Sequence, residues 1–498
     1  MIMINYIRVY NFSFWGVQMN FKLRDLIIFI IFTFFVGFLG AYTALNIFTP
    51  KLDKSNLSIT NTGDNNISNE QLQKVMKTFN LINEHFIEDV NEDELFEGAI
   101  NGMIDSLEDP YSSYMDVESM ERFNEQIHSS FQGIGAEVTL IDGNVTIVSP
   151  IKNSPAEKAG LRPNDQILKV DEESLEGLDL HEAVEKIRGE KGSEVILLVQ
   201  RAGQADPFEV SLIRDDIPIE TVHADTKDVE GKKTGILNIT SFSETTADEF
   251  TSFLTEMEDD GIEGLIIDVR GNPGGLLDSI EDILKQFVPK DIPYLQREDR
   301  SGEKQKYYST LDEKKPYPIS VLIDEGSASA SEILAVAMKE VGYDIVGKTS
   351  FGKGTVQQAV PLGDGSTIKL TFYKWLSPKG NWINEVGVEP TIEQKQPDLF
   401  YVSPVKIEEP FNVEDKSDKI ETIQTMLSGI GFADIRSDGY FDTEMEKIIR
   451  TFQEDNDLDV TGEVDKETYA AIEMAIIEEM REEKNDLQLN KALETLYK

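Results

Sequence analysis

The sequence predicts a multidomain α/β protein. Three observations carry that reading. From about Ile217 to Thr391, apolar runs of strand length alternate with helical patterns, as in a sheet covered on both faces. Before this region the chain reads as helical from Glu70 to about Ser129, then as short strands around one or two helices over 130–215. After it, from about Ile420, helical spacing returns. A chain of 498 residues has room for roughly three such domains.

The first element is Leu26–Phe48, LIIFIIFTFFVGFLGAYTALNIF, which carries no charge. At about 1.5 Å per residue it is long enough to cross a bilayer core of about 30 Å. Lys22 and Arg24 precede it, so residues 1–25 are expected in the cytoplasm and the rest outside the cell. Its length and aromatic content predict an uncleaved signal-anchor, not a cleaved signal peptide. Met19 opens MNFKLRD and offers a second start, which would make residues 1–18 an upstream extension. Residues 49–69 are polar and aperiodic, a linker. In the helical arm, 70–129, Leu72, Val75, Met76 and Phe79 begin an apolar series that Asp109-Pro110-Tyr111 breaks. Such an arm packs on its own chain or on a second copy, so a homodimer is expected.

Residues 130–215 open with Gly133-Ile134-Gly135-Ala136-Glu137-Val138. A hairpin turn at Asp142-Gly143 follows. In Ser154-Pro155-Ala156-Glu157-Lys158-Ala159-Gly160, Ser154 can cap a short helix, Pro155 suits its first position and Gly160 ends it. Leu178–Ile187 is a second amphipathic helix. These stretches resemble a PDZ domain. The resemblance implies that a peptide C-terminus adds as a strand, with the amides of Ile134, Gly135 and Ala136 holding its carboxylate.

The core, 216–400, holds the chemistry. Arg270-Gly271-Asn272-Pro273-Gly274-Gly275 follows one buried strand, and Ser329 follows another at the start of a helix. Lys353 and Gln357 follow a third. In α/β sheets, sites gather where strand ends meet helix starts. A serine needs a base, and a desolvated lysine can replace histidine. All four histidines precede Ser329, and none sits in a motif that could polarise it. A Ser329–Lys353 couple is therefore the natural reading, with Ser327 and Ser331 as helix-start alternatives. Glycines and a helix N-terminus supply free N–H groups, so Gly275 (or Gly274) and Ala330 are the candidates for an oxyanion hole.

DVRGNPGG, EGSASASEI and TSFGKGTVQ, in that order after a PDZ-like segment, resemble the carboxyl-terminal processing protease family over roughly residues 65–400. The resemblance implies a crotonase/ClpP-like α/β core with a cap and an inserted PDZ domain. It also implies Ser329 as nucleophile, Lys353 as general base and Gln357 as the residue orienting the lysine. One departure is visible: the stretch between SASEILA and FGK is one residue shorter than the family pattern, near Glu340-Val341-Gly342-Tyr343. In that family the PDZ domain is thought to gate the active site. Arg188, after the second PDZ helix, is the candidate for coupling the two, against a bland role as a helix-end cation.

Residues 401–419 are a charged linker. Residues 420–476 carry three helical patterns and an internal echo, Asp438–Glu444 against Thr461–Glu467. They resemble a small peptidoglycan-binding domain, with a helical protein-interaction cap as the alternative. Residues 477–498 are read as a helical tail.

Several function classes fall away. With 92 Asp+Glu against 47 Lys+Arg, the net charge of −45 repels phosphate backbones, so no nucleic-acid partner is expected. The chain has no cysteine, which excludes disulfides and thiolate chemistry. GKTSFGKG has Gly354 where a phosphate-binding loop needs Ser or Thr. His181-Glu182 lacks the second histidine of a zinc protease, and Asp455, Asp457 and Asp459 lack the glycine and glutamate of a calcium loop. No metal or cofactor is expected. The function expected is a membrane-anchored, extracytoplasmic serine endopeptidase acting on proteins with free C-termini. A non-catalytic scaffold would not need the Ser329–Lys353–Gln357 set, and acyl-CoA chemistry would not need the PDZ-like and wall-binding modules.

Overall fold

The computed structural model describes residues 9–14, 17–22, 68–141, 143–204, 206–432 and 435–498, the first two segments as backbone. The expected signal-anchor, Leu26–Phe48, lies outside the described residues. Among the described residues no helix is long and apolar enough to cross a membrane.

The chain divides into two compact units, Met1–Glu97 and Gly98–Lys498. In the first, β1 (Val9–Phe14) and β2 (Val17–Lys22) form an antiparallel hairpin. Helix α1 (Asn69–His85) begins at a capping box: Ser68 Oγ accepts the Gln71 amide and Gln71 Oε1 accepts the Ser68 amide. None of its residues is buried, and Leu72, Val75 and Met76 are exposed. Phe79 meets Phe96 with ring centroids 4.5 Å apart. The division between the units falls inside α2 (Glu92–Asp105).

In the second unit, β3 (Ser113–Met115) and α3 (Val117–His128) lead to a neck, where β4 (Ser130–Gly133) pairs antiparallel with β11 (Asp215–Pro218). Between those strands lies a small sheet in the order β10 (Phe208–Ile213), β9 (Glu194–Gln200), β7 (Gln166–Val170), β6 (Asn144–Pro150), β5 (Ala136–Ile141). The two-residue β8 (Glu173–Ser174) pairs with β7. Ile147, Ile167, Leu197 and Val199 pack there against Ala156 of α4 (Pro155–Lys158) and Ala183 and Ile187 of α5 (Leu180–Ile187). Among the described residues β5 pairs with β6 alone, so its outer edge is open.

The main sheet runs β12 (Val222–Val229), β13 (Lys232–Ile239), β14 (Gly264–Asp268), β17 (Ile319–Ile323), β18 (Asp344–Gly347), β21 (Ile392–Glu393), with only β12–β13 antiparallel. Side-chain alternation explains its continuous apolar runs. Leu237, Ile267, Val321 and Ile345 join the cluster of α6 (Thr246–Asp259), α7 (Leu277–Leu284) and α8 (Ala330–Val341). Ile236, Ile266, Leu322 and Val346 belong to a separate cluster on the other face. A second sheet runs β16 (Lys304–Tyr308), β15 (Pro293–Glu298), β20 (Thr367–Leu376), β19 (Thr355–Pro361), with β3 paired to β20.

Three further helices, α9 (Asp418–Gly429), α10 (Thr443–Asp455) and α11 (Lys466–Arg481), are capped by Ser417, Asp442 and Asp465. The internal echo has a physical cause. Gln424 is fully buried and its Oε1 accepts the amides of Asp438 and Gly439. Gln453 does the same for Gly462, while its Nε2 donates to Glu463 O and Thr468 Oγ1. The last helix, α12 (Leu487–Thr495), covers the second face of the main sheet through Ala492 and Leu496.

The structure differs from the sequence reading at three places. The arm assigned to 70–129 contains β3, a strand of the protease region too short to show alternation. The tail assigned to 477–498 begins inside α11 and ends in α12, which belongs to the core. The helical pattern Thr246–Asp259 predicts a cap at Thr245 or Thr246, and neither threonine caps α6 in the usual way. Thr246 Oγ1 accepts the Ser243 amide, in the loop before the helix, and Thr245 Oγ1 donates to Glu249.

Candidate active site

Ser329 stands at the N-cap of α8 with φ 55° and ψ −111°, a conformation that costs a non-glycine residue about 1–3 kcal/mol. Two loops hold it there. Asp324 Oδ1 accepts the amides of Gly271, Gly326 and Ser327 at 2.8–3.1 Å. Fully buried Asn272 donates to Ile239 O and accepts the Gly274 amide, while its carbonyl takes the Ala328 amide and the Ser331 hydroxyl. Ser327 Oγ donates to Val269 O at 2.8 Å. Ser327 and Ser331 are therefore spent on the scaffold, and both are fully buried.

The glycines are required by close approach. A Cβ on Gly274 would lie 2.8 Å from Ser329 Cβ, and one on Gly275 would lie 2.0 Å from Phe242 O. The Gly274 amide is committed to Asn272 Oδ1. Of the two glycine amides considered, Gly275 is thus the one left for a ligand, beside that of Ala330 at the first position of α8.

Glu332 links the serine to the lysine. Its carboxylate is fully buried. Oε2 accepts the amides of Ser329 and Lys353, both at 2.8 Å. Oε1 accepts the Ser350 hydroxyl at 2.6 Å and the Gly352 amide at 2.7 Å. The half-buried Lys353 ammonium lies 4.8 Å from the Tyr111 ring centroid. Burial, then the nearby charge of Lys369, depress its pKa, against Asp109 and Glu332. Among the described residues no hydrogen bond joins Ser329 Oγ to Lys353 Nζ, or Gln357 to Lys353. Gln357 Nε2 donates instead to Thr355 Oγ1 at 3.0 Å and Thr371 Oγ1 at 2.9 Å. A cavity of about 710 Å³ opens beside all three residues, with Ile127, Phe242, Leu277, Ile333 and Val356 among its walls.

The model of Peptidase family S41 matches residues 233–394. That of the activating protease CtpB N-terminal domain matches 34–119, a PDZ domain model 146–201 and a peptidoglycan binding domain model 416–472. The carboxy-terminal processing protease CtpB of Bacillus subtilis is 49% identical over 463 residues, spanning 93% of this chain and 96% of that one. The chain belongs to the carboxy-terminal processing proteases of peptidase family S41. CtpA of the same organism is 38% identical over 444 residues, 89% of this chain and 94% of that one. Among solved structures, a photosystem II D1 C-terminal processing protease covers 69% of this chain and 96% of its own at 25% identity and a TM-score of 0.40. This chain is accordingly a carboxy-terminal processing serine protease with a PDZ domain.

Residues 340–343, where the sequence reading expects the shortening, span the end of α8 at the left-handed Gly342. In the PDZ domain, Ile134, Gly135 and Ala136 sit at the start of the open-edged β5. The carbonyl of Ile134 accepts the Ala156 amide, and that of Gly135 accepts the Ile151 amide. Arg188 is the C-cap of α5. Its guanidinium donates to Glu125 of α3 at 3.2 Å and lies 4.9 Å from the Phe131 ring centroid. Glu125 also lines the cavity beside Ser329.

Sequence reasoning missed Glu332, Asn272, Asp109 and Thr371. Glu332 had a local signal, since Ser329-x-x-Glu332 is the spacing of a capping box. Asn272 stood inside the glycine loop without a role assigned to it. Asp109 and Thr371 had no local signal.

Proposed function

We propose that Ser329 is the nucleophile, Lys353 its general base and Gln357 the residue that orients the lysine. The observation that carries this is Glu332, one buried carboxylate that takes the backbone amides of both Ser329 and Lys353. Neutral Lys353, favoured by burial and by Lys369, takes the Ser329 proton as Oγ attacks the scissile carbonyl. The amides of Gly275 and Ala330 receive the oxyanion. Protonated Lys353 then gives its proton to the leaving amine, and water, activated by the same lysine, releases the acyl group from Ser329. The open Ser–Lys contact is compatible with this, because catalytic hydrogen bonds often close only around substrate.

The amides of Ile134, Gly135 and Ala136 hold a peptide C-terminus that adds to the open edge of β5. Residues 26–48 anchor the protease with its catalytic domain outside the cell, the 420–476 module binds peptidoglycan, and the exposed apolar side of α1 pairs with a second copy.

Turnover of an unfolded, casein-like protein by the purified ectodomain tests the chemistry. Ser329→Ala and Lys353→Ala should each abolish it, because members of a cooperating set are not additive. Near-normal turnover by Lys353→Ala would sink the assignment. External protease should digest the ectodomain on intact protoplasts, and residues 415–476 should sediment with purified peptidoglycan.

A further inference from the structure

The segment Asp109-Pro110-Tyr111-Ser112 ends a helical run, and the assigned mechanism does not use its carboxylate. The short strand β3 explains why it is where it is. Ser113 pairs with Lys369, Tyr114 with Ile368 and Met115 with Thr367, which brings Asp109 against Thr371 on β20. Thr371 Oγ1 donates to Asp109 Oδ2 at 2.6 Å, and Ser112 Oγ donates to the same oxygen at 2.6 Å. Asp109 Oδ1 accepts the Tyr111 amide at 3.1 Å.

The direction of each bond follows from proton counting. An ionised carboxylate can only accept, so the single hydroxyl proton of Thr371 goes to Asp109. Burial alone would raise the Asp109 pKa, but the bonds from Ser112, Thr371 and Tyr111 and the charge of Lys353 outweigh it and hold the group ionised. Thr371 Oγ1 is then left as an acceptor towards Gln357, 2.9 Å away, and only the amide nitrogen of Gln357 can serve it. The other Nε2 proton goes to Thr355 Oγ1 at 3.0 Å. Both protons are used, so Oε1 remains free to accept from an ammonium. An amide has no preference of its own between its two orientations; here a carboxylate two bonds away selects one.

We propose that Asp109 is a positioning residue of this protease, which acts through Thr371 to fix the amide of Gln357 with Oε1 available to Lys353. The proposal rests on the assignment of Lys353 and Gln357 given above. Asp109 also faces Lys353 as a charge. The other groups around the lysine are Tyr111 beside Asp109, Glu332 from α8 and Lys369 from β20, with Glu385 acting on Tyr111. Asp109 and Glu332 favour the ammonium, while burial and Lys369 oppose it.

Two variants separate positioning from mere loop stability. Thr371→Val keeps shape and removes the hydroxyl. It should lower kcat by about 10- to 100-fold with KM within about twofold, and Thr371→Ser should restore most of the rate. Its pH profile should stay in place. Asp109→Asn should lower kcat as Thr371→Val does, and because it removes a negative charge facing Lys353 the lysine pKa falls and the acid limb of kcat/KM should move to lower pH. Thermal melts beside each assay establish folding. A parental kcat in Thr371→Val overturns the proposal, and if Asp109→Asn does not fold that variant alone decides. A parental kcat in folded Asp109→Asn also overturns it. Lys353→Ala, run in parallel, is inactive if the base assignment holds. If it is active, the base assignment and the proposal fail together.

Discussion

Glu332→Gln changes one atom of a fully buried side chain, and its cost can be worked from the geometry. The carboxylate accepts four donors: the Ser329 and Lys353 amides on Oε2, the Ser350 hydroxyl and the Gly352 amide on Oε1. In glutamine one oxygen becomes a donor. Placed at Oε2, the new NH2 would confront two backbone N–H groups. Placed at Oε1, it confronts one, Gly352, because the Ser350 hydroxyl can turn and accept. The second orientation wins, and it leaves one buried N–H unsatisfied at about 1–3 kcal/mol. The remaining bonds also lose charge assistance, together about 1 kcal/mol more. A loss near 3 kcal/mol lowers the melting temperature by roughly 6–12 °C at about 2–4 °C per kcal/mol. Calorimetry should show this in the protease transition. The loop carrying Lys353 is released at Gly352, and a displacement of about 1 Å at a reacting group costs on the order of 100-fold in rate. A variant with parental melting temperature and parental kcat would refute the claim that Glu332 ties nucleophile to base.

Three further outcomes are expected. Lys369→Met removes a cation that helps depress the Lys353 pKa, so that pKa rises and the acid limb of kcat/KM should move to higher pH. Arg188→Ala and Glu125→Ala should each weaken stimulation by a free C-terminal peptide while basal turnover persists, measured on a protein substrate with and without the peptide. Asp486→Ala removes one of the two carboxylates that hold the largely buried Arg270 guanidinium, leaving Asp268; it should cost about 1.5–3 kcal/mol and lower kcat, read by calorimetry and turnover.

Much of the site was legible because it is local. Ser329 and its flanking residues, the glycine loop and Lys353 each lie in one short stretch whose residue types announce the chemistry. The α/β core was legible because Leu265–Ile267 and Val321–Ile323 are apolar on both faces. Asp109 and Thr371 were not, because they meet only through the pairing of β3 with β20, across most of the chain. The helix α12 was half legible. Leu489, Ala492, Leu493 and Leu496 have helical spacing, but nothing local says which surface they cover. The Arg270 in DVRGNPGG likewise gives no hint that, beyond neighbouring Asp268, it is held by Asp486.

That last contact bears on when the enzyme can first work. A chain made from its N-terminus releases Ser329 and Lys353 from the ribosome well before Asp486 and Leu496. Until α12 arrives, Ile236, Ile266, Leu322 and Val346 stay open to water and Arg270, held by Asp268 beside the glycine loop, lacks its second carboxylate. The order of the residues therefore works as a delay: the candidate catalytic groups emerge early, and the helix that finishes their platform emerges after them. A partly made copy has Ser329 and Lys353 but not the helix that covers the second face of their sheet.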